Sequence, residues 1–535
     1  MVQYQGCAID IYLDPGGLMQ PGHSYPGKKG LITMSDKYSR LKTLLAEIND
    51  LDKAVAILSW DREVNMPPGG AEGRANQMAT LSRLRHASFT SDELGALLDD
   101  LSSASADLDP DGDEARIISV TKRDYDIERK QPASLVEAVS RASSAGLEAW
   151  ARAKEAKDFS IFAPCLKRNA ELSRETAEAL GYTDRPYDAL VDRYEPGMTT
   201  AQLETIFSEL KAAILPLVEE ITASGVQPDD SCLRLHYDPD TQIRFSLDIA
   251  TRFGYDLNRG RLDTSAHPFA TSFGTGDVRM TTRMQADFLN RNLFATMHES
   301  GHAMYEQGIG TNLSGTLIAH GASGGVHESQ SRLWENLVGR SRPFQDFLFP
   351  RLQQTYPSQL GDMDIETFYR AINKVHPSLN RVESDEVTYN LHILLRFELE
   401  NDMLEGRADI DRLDEVWVER MRKYLGVTPP DPVQGVLQDI HWSYAGEFGT
   451  FPSYTLGNVI GAQLFAQARK EMPDLDTQIA SGQFGDLLGW LQTNLYRHGR
   501  KFTPNELLQR ITGQPLGTQA WVSYVRGKYT EIYNL

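Results

Sequence analysis

Cysteine is nearly absent from this chain: Cys7, Cys165 and Cys232 are the only three in 535 residues, an odd number set far apart. That excludes a disulfide framework and a cysteine-built metal site, and it points to a reducing compartment. Long apolar runs are missing too. No stretch approaches the roughly 18 residues that cross a bilayer as a helix. Residues 1–33, broken by Asp10, Asp14 and several Gly and Pro, hold no continuous apolar core of a secretory leader. Positive charge is also short: 54 basic against 74 acidic residues leave a formal charge of −20. Nucleic acid and anionic membrane are thereby excluded as general partners, and a cytoplasmic protein is expected.

What the chain has in quantity is helical periodicity, so the fold class expected is mainly α. Residues 1–34 lack that period and are expected to form a disordered extension, leaving 35–535 as one domain with a helical lobe over about 35–260 and a second half over about 261–535. A first helix opens at Ser35-Asp36-Lys37-Tyr38 and runs through Leu41, Leu44, Leu45, Ile48 and Leu51, and Met66-Pro67-Pro68-Gly69-Gly70 marks a hard turn. Residues 102–114 read as an acidic, solvated linker. The period changes to that of strands at Pro268–Phe273 and Asp277–Thr282 around Gly274-Thr275-Gly276, which predicts a β-hairpin and hence a small antiparallel sheet. Eight of the twelve histidines lie between His267 and His441, which concentrates the chemistry there.

The decisive pattern is His298-Glu299-Ser300-Gly301-His302. The spacing predicts a helix over 287–307 with Leu293, Phe294, Met297, Gly301 and Met304/Tyr305 as its apolar stripe and Gly308 as its stop. Histidines at i and i+4 stand one above the other on a single face and can grip one ion, and the intervening Glu299 can take a proton from water. A core helix with two hydrogen-bonded histidines would have no need of Glu299. Catalytic zinc usually takes three protein ligands, so a third is required. The Gly/Ser/Thr-rich segment 308–325 leads to a second helix, Val326 to Val338, whose first turn carries Glu328. Glu328 is the expected third ligand; His320 in the loop is the alternative, and Glu335, two turns on, is either a supporting or a solvent-facing group.

These motifs do not stand alone. Trp60-Asp61 with Met66–Gly70, His267-Pro268-Phe269, Asp277-Val278-Arg279-Met280-Thr281, HESGH at 298–302, HESQ at 327–330, Arg381-Val382-Glu383-Ser384-Asp385 and Gly435–Trp442 occur in one order along the chain. From about residue 35 to 535 the sequence resembles the carboxypeptidase Taq family of zinc metallocarboxypeptidases. It departs from the family's usual motif at Asn380 and Ser384, where Ile and Ala are common. The resemblance implies a helical saddle-like or clam-like fold with a deep cleft, a homodimer, and release of single C-terminal residues with broad side-chain preference. It makes His298, His302 and Glu328 the ligands of Zn2+, with Co2+ or Mn2+ as possible substitutes, and Glu299 the base.

An enzyme that acts on free C-termini needs a fixed cation for the substrate carboxylate, and arginine offers a planar fork. Arg381 and Arg279 are the candidates, each with a structural alternative as an ion pair, to Asp385 and Asp277 respectively. His441 and Tyr454, in the segment that the resemblance brings to the cleft, are candidate donors to a developing oxyanion. His267 and His327 are expected to support the site by hydrogen bonds or to touch substrate; Trp60 and Trp442 read as packing. The competing functions are an oligopeptidase that cuts internally with the same motif and a non-catalytic, zinc-stabilised peptide-binding scaffold.

Overall fold

The computed structural model describes residues 33–535. The expected N-terminal extension lies outside them, save for its last two residues: Thr33 caps the first helix, Met34–Val64, through a reciprocal box with Asp36 (Asp36 N to Thr33 Oγ1 3.2 Å, Thr33 N to Asp36 Oδ2 3.0 Å). Such a box satisfies two backbone N–H groups that the first turn would leave unpaired. Of that helix's predicted stripe, Leu41, Leu45 and Ile48 are buried and Leu44 and Leu51 half-buried. The Pro-Pro-Gly-Gly turn is present, and Ala71–Phe89 runs on from it. The acidic linker is shorter than its composition suggests, because the chain stays helical to Ala104 and resumes at Asp113.

The architecture is mainly α with one small sheet, as expected. The hairpin is there: Ala270–Ser272 (β2) pairs antiparallel with Val278–Thr282 (β3), Thr271 opposite Arg279. A third strand, Leu262–Thr264 (β1), adds to β3 in parallel, so the sheet is mixed, with order β1-β3-β2. At three residues β1 is too short to show an alternating pattern. The inward residues of β3, Val278 and Met280, are fully buried, and its Thr282 hydroxyl meets Thr296 of the following helix at 2.9 Å, which seats the sheet on that helix.

Two cores result. The larger runs from Ala149 to Tyr533 and contains the helices of the predicted site. The smaller is built from the N-terminal helices and closes on Ile309, Leu313 and Ile318, so the lobe that starts the chain braces the loop that follows HESGH. Among the described residues no helix is long and apolar enough to cross a membrane.

Candidate metal centre and active-site cleft

The HESGH helix spans Leu289–Gln307, and Leu293, Phe294, Met297, Met304 and Tyr305 are all buried, as the stripe requires. Gly301 does more than fill that stripe. A Cβ there would lie 2.3 Å from the carbonyl oxygen of Gln330, so its lack of a side chain lets the second helix, Gly324–Arg332, approach backbone to backbone. That second helix is capped by Ser323, whose hydroxyl accepts from Val326 N at 3.0 Å. The buried Glu195 carboxylate accepts from Gly325 N and from Ser453 Oγ, pinning the Glu328 helix to the start of a third helix, Pro452–Glu471. Burial pushes Glu195 up to about 7. Beyond Arg332 the second helix continues as a wider π-type turn, Leu333–Val338, where Gly339 N bonds Trp334 O at 3.0 Å.

The result is one compact set of donors. His298, His302 and Glu328 each offer an atom within 4.8 Å of the others. His298 Nε2 lies 3.6 Å and His302 Nε2 3.5 Å from Glu328 Oε2. Two imidazole nitrogens and one carboxylate suit a catalytic zinc ion, which leaves a fourth position for water. Glu299 is buried beside them, and its Oε2 has no hydrogen-bond partner, an orphan that fits a group waiting on a solvent molecule. Burial pushes its carboxyl up to about 7. His320 stays out of the set and its Nδ1 donates to Gly321 O.

Around the donors the charges are paired. Glu335 is half-buried and faces the donors: His298 donates from Nδ1 to its Oε2 at 2.9 Å, since a carboxylate only accepts. Arg332 joins both acids, Nε to Glu328 Oε1 at 2.7 Å and Nη1 to Glu335 Oε2 at 3.1 Å, and stacks over the Tyr389 ring. Against the cost of burial, Arg332 and His298 hold Glu328 well below the usual carboxylate range and Glu335 at about 2. Neither Arg332 nor Glu306, which meets His327 at 3.0 Å, was singled out from sequence, although each sits four residues after one of the three converging donors, the one available signal.

The donors open into a cleft of about 770 Å³ lined by, among others, Glu299, Arg332, Arg381, Tyr389, Tyr454 and His267. Seven Arg/Lys and seven Asp/Glu line it. Arg381 is almost buried, and its partner is Asp439, not Asp385: Nη2 reaches Asp439 Oδ1 at 3.0 Å and Nη1 donates to Tyr389 OH at 3.1 Å. Asp385 instead accepts from the backbone of His376, Val387 and Thr388, tying its own loop. Asn380 and Ser384, the two departures from the family pattern, are bonded together: Ser384 Oγ donates to Asn380 O at 3.1 Å. Tyr454 lies under the Arg381 guanidinium and 3.3 Å from His441 Nε2; His441 itself stands behind Tyr454, outside the cleft lining. Burial drives His441 down to about 4 and Tyr454 up to about 12, so one is neutral and the other protonated near pH 7.

Two residues fall outside the cleft lining and one at its rim. Arg279 is outside the cleft lining, bound through two nitrogens to Asp277 (2.8 and 2.7 Å) and sandwiched between Trp60 and Phe273. His327 is held between His302 and Glu306 and does not line the cleft, while His267 is exposed at its rim.

A family model described as carboxypeptidase Taq (M32) metallopeptidase matches residues 40–529. The chain belongs to that family. This M32 carboxypeptidase is 41% identical to thermostable carboxypeptidase 1 of Thermus thermophilus, over 94% of the chain and 100% of the relative, and 38% identical to carboxypeptidase 1 of Bacillus subtilis, over 92% and 98%. Among solved structures it superposes on the M32 carboxypeptidase of Deinococcus radiodurans with a TM-score of 0.91 at 40% identity, covering 93% of this chain and 100% of that one. Against Trypanosoma cruzi metallocarboxypeptidase 1 the values are 0.86 and 31%, covering 93% and 100%. The chain is therefore a metallocarboxypeptidase.

The cluster at the cleft's end also makes a stability prediction for this M32 enzyme. Asp439 is shared by Arg381 and the fully buried Arg396, and these two guanidiniums, against burial, hold it well below the usual carboxylate range. Asp439→Asn strands two buried cations and is expected to cost about 3–5 kcal/mol. Because the folded value is lowered, that stability is fully present above the unfolded value near pH ~4 and is lost as pH falls toward the folded one. Urea melts of both proteins should therefore keep a constant gap down to about pH 4 and show it narrowing below that; a gap that does not narrow below pH ~4 would mean that Asp439 is not the charged partner.

Proposed function

We propose that the chain is a zinc-dependent carboxypeptidase that releases single C-terminal amino acids from peptides with broad side-chain preference, Glu299 acting as general base. The convergence of two Nε2 atoms and the Glu328 carboxylate beside the buried, unpartnered Glu299 carries this reading. A zinc ion held there supplies Lewis acidity toward the scissile carbonyl and makes water easier to deprotonate. Glu299, ionised, takes the proton from water as it attacks, and then delivers it to the departing amine. Burial, which disfavours its charged form, favours its taking up that proton.

The remaining residues orient and stabilise. Of the five N–H donors of Arg381, the contacts to Asp439 and Tyr389 use three, which leaves one on each terminal nitrogen for the substrate's carboxylate. Tyr454, kept protonated by burial and lining the cleft, would donate to the oxyanion, with His441 setting the direction of its hydroxyl. His267 at the rim would touch the peptide further from its end. Arg279 has its fork occupied by Asp277, which favours a bracing role beneath the hairpin. Co2+ or Mn2+ can substitute in such a donor set. A cytoplasmic homodimer completes the reading, on the strength of the family resemblance and the scattered cysteines.

The test compares one peptide as free acid and as amide. Wild type is expected to prefer the free acid strongly, and Arg381→Ala to lower kcat/KM for it roughly 10- to 150-fold, the scale of a lost charge-assisted bond. Arg381→Lys should fall between, and the amide should be cut no more slowly by the variant. Equal losses on both substrates would reassign Arg381 to structure, and efficient internal cleavage of the amide by wild type would favour an oligopeptidase.

A further inference from the structure

Glu306 is buried one helical turn beyond His302 and belongs to neither the donor set nor the cleft lining. Its Oε1 accepts from Gly321 N at 3.0 Å and lies 3.0 Å from His327 Nε2. His327 Nδ1 in turn lies 2.6 Å from His302 Nδ1. Each of these contacts carries one proton, and a carboxylate only accepts. His327 must then donate from Nε2 to Glu306 and present a lone pair at Nδ1. His302 must donate from Nδ1 to that lone pair. Its Nε2 is left bare, on the side facing Glu328 Oε2 at 3.5 Å.

We infer that Glu306 is a positioning residue for the metal site, fixing the tautomer and ring plane of His302 through His327. The inference rests on His298, His302 and Glu328 being the metal ligands. It gives the two histidines matching support by different routes: Glu335 orients His298 directly, and Glu306 orients His302 across an intervening imidazole. The arrangement also accounts for His327, whose two nitrogens are both engaged and which leaves none for substrate. Because Glu306 simultaneously holds Gly321, the same carboxylate that sets the ligand's proton also anchors the loop between the two ligand-bearing helices.

Outer partners of metal-bound histidines typically contribute 10- to 100-fold in metal affinity. In the full-length protein stripped of metal and titrated with zinc against a chromophoric chelator, Glu306→Leu, which keeps the volume, should weaken zinc by that factor. Glu306→Gln, whose amide oxygen still accepts from His327 Nε2, should recover part of the loss, a pattern that mere packing would not give. A second measurement needs no folded Glu306 variant: long-range 1H–15N spectra of histidine-labelled wild type, with the His302 signals assigned by their loss in His302→Asn. These should show His302 protonated at Nδ1 and bare at Nε2. A folded Glu306→Leu that binds zinc as tightly as wild type, or His302 protonated at Nε2 in wild type, overturns the inference alone. Wild type that takes up no zinc overturns the metal assignment beneath it.

Discussion

Glu299→Gln is expected to keep its zinc and its melting temperature while losing between two and four orders of magnitude in kcat, the usual worth of a positioned general base. The amide has nearly the same shape as the carboxyl it replaces. It cannot accept a proton from water. Metal retention follows because the three donors that converge are His298, His302 and Glu328, while Glu299 lies beside them with one oxygen unpartnered. The substitution removes a group that burial inclines to take up a proton and, being neutral, adds no charge to the site. Metal content and turnover should be measured on one preparation. A variant replete with zinc and working near the wild-type rate would remove Glu299 from the chemistry.

The second large effect is expected at Glu328. Glu328→Ala deletes one of the three proposed ligands and leaves Arg332 facing Glu335 alone, so zinc affinity should fall by more than the roughly 100-fold that marks the loss of an outer partner, with activity falling in parallel. Gly457→Ala should reproduce part of this loss without touching a ligand. A Cβ at 457 would lie 2.4 Å from Glu328 Cγ and 2.6 Å from its Cβ, so one added methyl displaces the carboxylate from its place against the two histidines. Glu335→Ala should do less than Glu328→Ala, since it frees the His298 ring but keeps all three ligands. Should Glu335→Ala prove the more damaging to zinc binding, the third ligand would have to be moved along the helix to Glu335.

The parts of this site that could be read in sequence are those fixed by local geometry. Periodicity of 3.6 residues places His298 over His302 whatever surrounds them, and the break at Gly308 followed by a new apolar period foretold the return of a second helix bearing Glu328. The hairpin was legible because its two runs flank a Gly-Thr-Gly turn. What could not be read was the choice of partner over distance. Asp385 lies four residues from Arg381 and was the natural ion-pair candidate, yet Asp439 holds that arginine from 58 residues away. Glu335 could face solvent or site by sequence alone, and only the packing against His298 decides. For Arg279 the local alternative, the ion pair with Asp277, is the one that forms, while nothing local reveals its stacking against Trp60, more than two hundred residues earlier. Gly457 and Gly461 carry no sequence mark of their role, which is to admit the backbone of the Glu328 helix.

Equal numbers of cationic and anionic side chains line the cleft of a chain whose formal charge is −20. Residues 1–32 contribute two Asp and two Lys, so the excess does not reside there either. It lies on the outer surface. An approaching peptide thus crosses a negative field before it meets a balanced interior, and the field reaches out over about 10 Å at 0.1 M salt. Acidic peptides are slowed at encounter and basic ones drawn in, whatever residue each ends with. Discrimination between substrates therefore begins in the solvent layer, where ionic strength tunes it, and a pocket tolerant of many side chains can still belong to an enzyme with preferences.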